Sequence, residues 1–417
     1  MESDQLLHVF MQNAGLLESA FPELPKSVQG KLCGLIAERL INKFERTGAI
    51  EDLDRSITMN EKAVEFTPDD NVNRARWLCS LGTSLQSRFE RTGSIEDLNR
   101  AIRNKELAVA SIPEHHYDCA MYLSNLGNAL RMRFEWTGVM KDLDQSIKTN
   151  EQAVAVTPND HPDRAMPLNN LGISLELRFE QTGSMEDLDR AITMKEQAVA
   201  FTPDGSLGHA SSLNDLGISL AKRYGRTGST EDLQLAITSM EKAVVLIPSG
   251  HPDLAMHLSN LGEVLRIRFE RTGLMEDLSY ALRTNEKAVL FTSDDHPDRA
   301  RRLNNLSISL QMRFERNGLM EDLDRAITTN KQAIASTPDD HPSLARYLNN
   351  LGNGLLNRFE STGSLDDLDE AIKTNEQVIA LTSEDLPIRA AYLNNLGNAL
   401  LSRFERTGID GRCGSCD

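Results

Sequence analysis

Asparagine recurs at multiples of 45 residues along this chain, and its side chain is suited to holding another polypeptide. A carboxamide offers both a hydrogen-bond donor and an acceptor, so it can pair with a peptide group of any sequence. Asparagine is also a mediocre helix former, and its repetition inside a helical pattern therefore needs a reason. The six copies are Asn125, Asn170, Asn260, Asn305, Asn350 and Asn395.

The residue three positions after each of these asparagines varies, whereas the asparagine itself stays. Asn128, Asn353 and Asn398 stand there in three copies, and isoleucine or glutamate stands there in the others. A constant amide beside variable side chains would let a peptide groove hold any backbone and still select a sequence. Two structural alternatives stay open: each amide bonds to a helix of the neighbouring copy, or the repeats are simply duplicated.

Arginine recurs with the same period, and its planar fork could read phosphate or carboxylate groups. The alternative is that each arginine pairs within the protein with an acidic residue at the next helix start, such as Asp97, Asp187 or Asp322. We favour the internal pairs, because eight identical internal partners require eight identical arginines and a binding site does not. The eight are Arg88, Arg133, Arg178, Arg223, Arg268, Arg313, Arg358 and Arg403.

Histidine shares one loop position in five copies, at His116, His161, His251, His296 and His341. A metal ion needs several ligands within about 2 Å, whereas stacked loops hold these side chains roughly a repeat apart. We therefore expect the histidines, and the prolines that follow most of them, to start helices, and we expect no metal site and no cofactor. Acidic pairs in the same loops could steer a basic partner, although we favour the alternative that they only keep the loops solvated.

Two further motifs carry little weight. Cys413 and Cys416 form a lone Cys-x-x-Cys without a second pair. Asn305 begins a glycosylation sequon that falls inside a helical pattern. The sequence contains neither a phosphate-binding Gly-Lys-Ser/Thr loop nor a serine or cysteine nucleophile beside a plausible base, which predicts a protein that is not an enzyme.

A 45-residue unit, repeated without gaining or losing a residue, must position these side chains. Such a period indicates a stacked array in which each unit buries its apolar face against its neighbours. Each unit is marked by an aromatic residue just before the phrase Glu-Arg-Thr-Gly or a variant of it. These aromatic residues are Phe44, Phe89, Phe134, Phe179, Tyr224, Phe269, Phe314, Phe359 and Phe404.

The pattern within a unit predicts two helices. Between Ala345 and Gly363, apolar residues spaced at i, i+3, i+4, i+7 and i+11 form one stripe, and the asparagine falls about 200° away from its first residue. Gly363 predicts the end of the first helix. Ser364 and Asp367 have the spacing of a capping box that starts the second helix, which ends near a Thr-Pro pair in several units.

This unit resembles the tetratricopeptide repeat, with a Leu-Gly pair on the first helix and small residues seven apart, followed by proline, in the second half. It departs from that family in its longer first half. It also departs in the polar residues Asn285, Asn330 and Asn375, which stand where the family usually packs a large apolar side chain. The phrase Asp-His-Pro-Asp at 295–298, with Leu-Asn-Asn-Leu at 303–306, looks most like the repeats of kinesin light chains.

The resemblance implies an all-α fold, a right-handed α-solenoid of helix-turn-helix repeats over residues 28–408. In such families the first helices line a concave face, and asparagines at this position hold the backbone of an extended peptide. Similar arrays in fungal proteins are joined to a caspase-like or nucleotide-binding domain.

The net charge and the two terminal segments give the remaining predictions. The net charge of −17 argues against a nucleic-acid partner, and the sequence has neither a signal-peptide pattern nor an apolar stretch of about 18 residues, so we expect a cytoplasmic protein without a membrane contact. Residues 1–27, with an amphipathic pattern at 5–20, are expected to cap the first unit, and a docking helix for another protein is the alternative. Residues 409–417 are expected to form a disordered tail.

These observations predict a non-catalytic scaffold that binds an extended peptide segment through the asparagines, with a protein partner that could be basic. Two alternatives stay open. The array could be the sensor or regulatory region of a larger signalling protein. It could also self-associate as a homodimer through the apolar face of a ninth first helix at Ala390 to Glu405, for which the sequence supplies no second helix.

Overall fold

The structure is a computed structural model that describes residues 21–413 other than 72, 114 and 385. The amphipathic segment at residues 5–20 and Cys416 lie outside the described residues. Within the described residues the chain is helical and contains no β-strand. No helix in this part of the chain combines the length and the apolar character needed to cross a membrane.

Eight pairs of helices and a ninth first helix make up the described chain, which confirms the predicted all-α array of helical hairpins. The first helices are α1 (Lys26–Thr47), α3 (Asn73–Thr92), α5 (Cys119–Thr137), α7 (Ala165–Thr182), α9 (Leu207–Thr227), α11 (Leu254–Thr272), α13 (Arg299–Asn317), α15 (Leu344–Thr362) and α17 (Arg389–Cys413). The second helices are α2 (Ile50–Phe66), α4 (Ile95–Ala110), α6 (Met140–Val156), α8 (Met185–Phe201), α10 (Thr230–Leu246), α12 (Met275–Leu290), α14 (Met320–Ala335) and α16 (Leu365–Leu381).

The chain forms two compact units, unit 1 (residues 1–212) and unit 2 (residues 213–417), and the boundary in the sequence falls within α9. In unit 1, α4 packs against α3 of its own hairpin and against α5 of the next hairpin. In unit 2, α12 packs in the same way against α11 and α13. Neighbouring first helices also touch, as α5 and α7 do in unit 1 and α11 and α13 do in unit 2.

A glycine and a serine form the turn inside several hairpins. Gly183 follows α7 in the left-handed conformation, with φ of 73°, and its N–H donates to the carbonyl of Phe179 at 2.7 Å. Ser184 then caps α8, because its hydroxyl accepts the N–H of Asp187 at 3.3 Å. The N–H of Ser184 donates to Thr182 Oγ1 at 3.2 Å, so the Asp187 carboxylate does not complete the expected capping box.

The carboxylate at this position binds the recurrent arginine instead. Arg88 on α3 donates from Nε and Nη2 to Asp97 at the start of α4, at 2.8 and 2.7 Å. Its Nη1 donates to Asp54 on α2, the second helix of the preceding hairpin, at 2.8 Å. The internal pairing predicted from the sequence is confirmed for seven arginines: Arg88, Arg133, Arg178, Arg223, Arg268, Arg313 and Arg358.

The recurrent aromatic residue lies in the apolar core, as Phe89 of α3 illustrates. Phe89 clusters with Leu98 and Ile102 of its own second helix and with Leu126 and Leu130 of the next first helix. Its exposed fraction is therefore only 6%.

The equivalent residue of α17 has no such cover within the described chain. Phe404 is 71% exposed, and Leu393 and Leu401 of the same helix are also exposed. Self-association through this apolar face stays a prediction. Helix α17 also continues past Gly408, where the sequence predicted its end, to Cys413. Residues 409–413 of the expected tail are therefore helical, and residues 414–417 lie outside the described chain.

The glycine in the middle of several first helices allows the second helix to approach closely. A Cβ atom on Gly82 would lie 2.7 Å from Lys105 Cγ and 3.0 Å from the carbonyl oxygen of Ala101, both on α4. Real Cβ contacts are longer, so only glycine fits without a shift of α4. Met240 and Lys195 lie beneath Gly217 and Gly172 in the same way.

The unusual asparagines of the second helices occupy this same buried position. Asn285 lies beneath Gly262, and its Nδ2 donates to Ser309 Oγ on the next first helix at 3.1 Å. Asn330 Nδ2 donates to the carbonyl of Tyr347, also on the next first helix, at 3.1 Å. Asn285 and Asn330 are thus tied to the following hairpin, whereas Asn375, beneath Gly352, makes no side-chain hydrogen bond within the described chain.

We expect Gly82→Ala to destabilise the protein, because the added methyl group must displace Lys105 and the Ala101 carbonyl. Overpacking of this kind costs about 1 to 3 kcal/mol. Gly397→Ala is the matched control, since Gly397 occupies the same position on α17 and has no neighbour within 4 Å of a built Cβ. Alanine there should stabilise the helix by up to about 1 kcal/mol. Thermal unfolding followed by circular dichroism compares the two variants, and equal melting temperatures would contradict the close approach.

Candidate functional site

The six recurrent asparagines lie on the first helices as predicted, and all six are half-exposed. In unit 2, four of them bond to the preceding first helix, at a residue 46 positions earlier. Asn350 Nδ2 donates to Asn304 Oδ1 at 2.8 Å, for example. The others are Asn260 with Asn214, Asn305 with Ser259, and Asn395 with Asn349. In unit 1, Asn125 Nδ2 donates to Cys79 Sγ at 3.4 Å.

These bonds match the first of the two structural alternatives, in which each amide contacts the neighbouring copy, but they use only part of each amide. Among the described residues, no group donates a hydrogen bond to the Oδ1 atom of these five asparagines. Each amide therefore retains an acceptor at a half-exposed site. Of the three neighbouring asparagines, Asn128 accepts a bond from Arg131 at 2.6 Å, Asn353 is half-exposed and Asn398 is exposed.

A cavity of about 1040 Å³ opens beside Asn125 in unit 1. The loop before α5 contributes Tyr117, α5 contributes Met121, the end of α6 contributes Val156, and α7 contributes Met166. Tyr117 is 86% exposed, and Met121 and Met166 are 42% and 44% exposed. The cavity therefore presents large apolar side chains to solvent, which is a feature of binding pockets.

The cavity was not predicted from the sequence, although a local departure from the repeat marks it. His115 and Tyr117 stand where Asp340 and Pro342 stand in a later copy. Met121 and Met166 stand at the position that is arginine in three other copies, Arg76, Arg301 and Arg346. Met256 of unit 2 stands at the same position, so this place is marked by methionines in two neighbouring copies, Met121 and Met166, together with Tyr117.

The loop histidines have the helix-start role predicted for them. The Nδ1 atoms of His116 and His161 accept the N–H of Asp118 and Asp163, each at 3.2 Å. Because Nδ1 accepts, the neutral ring carries its proton on Nε2. Both rings line the cavity, and His116 also stacks on Tyr117 with 4.4 Å between ring centroids. Within the described chain, no three potential metal ligands converge.

A buried amine lies directly behind this site. Lys105 of α4 is 2% exposed, and its Nζ donates to Gln86 Oε1 and to the carbonyl oxygen of Asn125, the latter at 3.3 Å. Burial away from water lowers the pKa of Lys105 to about 8. Burial also raises the pKa of the neighbouring Cys79 thiol. The wall behind Asn125 is therefore polar, and it holds a costly charge at neutral pH.

Three segments of the chain, residues 119–163, 209–253 and 344–379, match the family model of the tetratricopeptide repeat. None of the curated proteins compared with the sequence matches it.

Solved structures of helical-repeat proteins resemble parts of the chain at low identity. A putative kinesin light chain from Podospora anserina with nearly identical TPR-like repeats is 20% identical, with 53% of this chain and 96% of that chain covered and a TM-score of 0.38. The human IFIT1 dimer with PPP-AAAA is 14% identical, with 84% and 69% covered and a TM-score of 0.48. PilF of Pseudomonas aeruginosa is 15% identical, with 62% and 91% covered and a TM-score of 0.42.

We expect Lys105→Met to stabilise the protein near pH 7. Methionine already occupies this position at Met240, so the substitution should fit. Between pH 8 and the ordinary lysine pKa of 10.5, the unfolded chain binds more protons than the folded chain, so the free energy of unfolding of the parent rises with pH. Below pH 8 the buried charge costs up to about 3 kcal/mol.

Chemical denaturation at pH 7, 8, 9 and 10 measures this difference. The advantage of the methionine variant should be largest at pH 7 and should shrink as the pH rises. Parallel pH dependences for the two proteins would show that Lys105 carries no buried charge.

Proposed function

We propose that this chain, an array of tetratricopeptide repeats of the long kinesin-light-chain type, is a non-catalytic scaffold that binds an extended segment of a partner protein. Repeats of this type generally mediate protein–protein interaction. The observation that carries the proposal is the cavity of unit 1, with its exposed apolar walls beside Asn125.

The cavity has the composition of an anchor pocket, and its volume of about 1040 Å³ leaves room for more than one side chain of such a segment. Tyr117, Met121 and Met166 supply apolar surface, and methionine adapts its shape to different occupants. The Nε2–H groups of His116 and His161 supply polar contacts that can fix an orientation. A few polar groups in a mostly apolar cleft are typical of ligand sites.

The asparagines would extend this contact along the backbone of the bound segment. In unit 1, the Oδ1 atom of Asn125 is an acceptor beside the cavity, and Asn170 follows it on α7. In unit 2, Asn260, Asn305, Asn350 and Asn395 present the same acceptor on successive first helices. A peptide N–H is the matching donor, so the row would hold a backbone while Asn128, Asn353 and Asn398 contact its side chains.

We expect Tyr117→Ala to weaken retention of the protein on an immobilised library of extended peptides by about tenfold, because an aromatic anchor commonly contributes about 1 to 2 kcal/mol. Its fold should be unaffected, since the ring is 86% exposed. Tyr280→Ala is the matched control, because Tyr280 lies on a second helix of unit 2 and contacts Arg283 there. An equal loss for both variants, or for neither, would argue against the anchor pocket.

A triple change of Asn260, Asn305 and Asn350 to alanine tests the amide row of unit 2. We expect it to reduce peptide retention with helical content unchanged by circular dichroism. The melting temperature should also fall, because three hydrogen bonds between first helices are lost at about 1 kcal/mol each.

A control with comparable stability separates binding from folding in this experiment. Ile372→Ala truncates a buried core residue of α16 and costs about 2 to 5 kcal/mol without touching the row, a range that includes the cost expected for the triple change. If the core variant loses retention as strongly as the triple variant, the asparagines serve stability alone.

A further inference from the structure

We propose that the cavity of unit 1 takes a lysine or arginine side chain of the bound partner segment. The inference rests on the proposed function and names the chemistry of the residue that the cavity selects. The observation that carries it concerns Asp118 and Asp163. Neither has the arginine partners that the equivalent Asp298 has in unit 2.

The counterpart in unit 2 shows how the repeat can neutralise this aspartate. Asp298, just before α13, lies 3.5 Å from Arg301 and 3.2 Å from Arg302, so two guanidinium groups of the same helix face it. These arginines stand three and four positions after the aspartate. Intrahelical pairs at this spacing are a common way to satisfy an exposed carboxylate near a helix start.

Both arginine positions are replaced by uncharged residues at the cavity. Asp118 is followed at the same positions by Met121 and Tyr122, and Asp163 by Met166 and Pro167. Tyr122 contributes only a long hydroxyl bond to Asp118 Oδ2 at 3.5 Å. Neither Asp118 nor Asp163 forms an ion pair with a lysine or an arginine of the described chain.

The other charged groups nearby do not supply the missing cation. No lysine or arginine is among the described residues that line the cavity, whereas both aspartates are. His116 and His161 lie beside the carboxylates, with Nδ1 3.9 Å from Asp118 Oδ2 and 3.6 Å from Asp163 Oδ2. Each Nδ1 accepts the backbone N–H of the same aspartate, however, and so donates no hydrogen bond to its carboxylate. Arg164 follows Asp163 directly, but its Nη1 donates to the carbonyl oxygens of Val154 and Thr157.

The apolar walls fit the rest of such a side chain. Lysine and arginine bury their methylene stems against apolar surface and keep the charged head at a polar rim. Met121 and Met166 would pack on the stem, and Tyr117 offers a ring face to the cation. An acidic occupant would meet two carboxylates instead. The acidic protein as a whole, with a net charge of −17, also attracts a basic segment.

Five peptide pools test the assignment directly. They are immobilised nonapeptides, acetylated and amidated, with identical degenerate flanks and a central arginine, lysine, citrulline, norleucine or glutamate. We expect the full chain to bind the arginine and lysine pools about fivefold more tightly than the citrulline and norleucine pools, as one solvent-accessible ion pair would give. The glutamate pool should bind weakest, and added salt should reduce the preference.

Three variants locate that preference. Asp118→Asn combined with Asp163→Asn should bring the cationic and neutral pools within about twofold of each other. Met121→Arg restores the residue found at Arg301 and should block the cationic pools by supplying the cation internally. Met256→Arg is the matched control, since it makes the same change beside Asp253 in unit 2, away from the cavity, and should leave retention unchanged.

The outcomes separate this inference from the function on which it rests. Equal binding of the arginine, citrulline and glutamate pools, or a cationic preference that survives in the double asparagine variant, overturns the cation assignment. If the Tyr117→Ala variant still binds those pools more weakly than the parent protein does, the scaffold function stands. If the chain retains none of the five pools, both proposals fail. Melting curves of each variant establish that the variants are folded.

Discussion

One arginine, recurring in seven of the described hairpins, fixes the start of the second helix against the first. Arg88 joins its own first helix to the start of the following second helix through Asp97 and to the preceding hairpin through Asp54. The Asp97 side chain is only 8% exposed, so loss of Arg88 would leave a poorly solvated carboxylate. The pairing holds the pKa of Asp187 below its usual value through Arg178 and raises the pKa of Arg88 and Arg358. Because this arginine–aspartate pair recurs, the two helices of each hairpin meet in the same way, and the sequence differences between copies lie at other positions.

Contacts within one period were predictable from the sequence, and contacts that depend on rotation between copies were not. The glycine turns, the serine caps and the arginine pairs follow from short spacings such as Arg88 with Asp97. The asparagine bond joins residues 46 apart, one more than the period, so it depends on how adjacent first helices are rotated. The cavity also escaped prediction, because it arises where Tyr117 and Met121 depart from the repeat rather than where they follow it. Gly408 shows a further limit, since α17 continues through it, whereas the equivalent Gly363 ends α15 in the left-handed conformation.

The candidate site lies where the repeat has methionine instead of a surface arginine, while the packing between helices is the same as in other copies. Helices α5 and α7 keep their packing glycines and the recurrent arginines that pair with aspartate. Methionine in place of the surface arginine, at Met121 and Met166, therefore does not disturb the core. The exchange opens apolar surface and separates Asp118 and Asp163 from the counter-ions that their counterpart Asp298 retains. The framework contacts and the proposed recognition residues thus occupy different sides of the same helices. This division allows one part of the array to specialise without a change in the fold.

The fit between each packing glycine and the residue beneath it lies inside a single hairpin. Gly82 is matched to Lys105, Gly217 to Met240 and Gly262 to Asn285, and in each case both partners belong to one first helix and the second helix that follows it. The contacts between hairpins are less uniform, since Arg88 bonds to Asp54 of the preceding hairpin where Arg133 bonds to Asn99. A 45-residue segment that is gained, lost or moved by unequal recombination would therefore keep its glycine matched to the residue beneath it, while its bonds to the neighbouring hairpins would change partner.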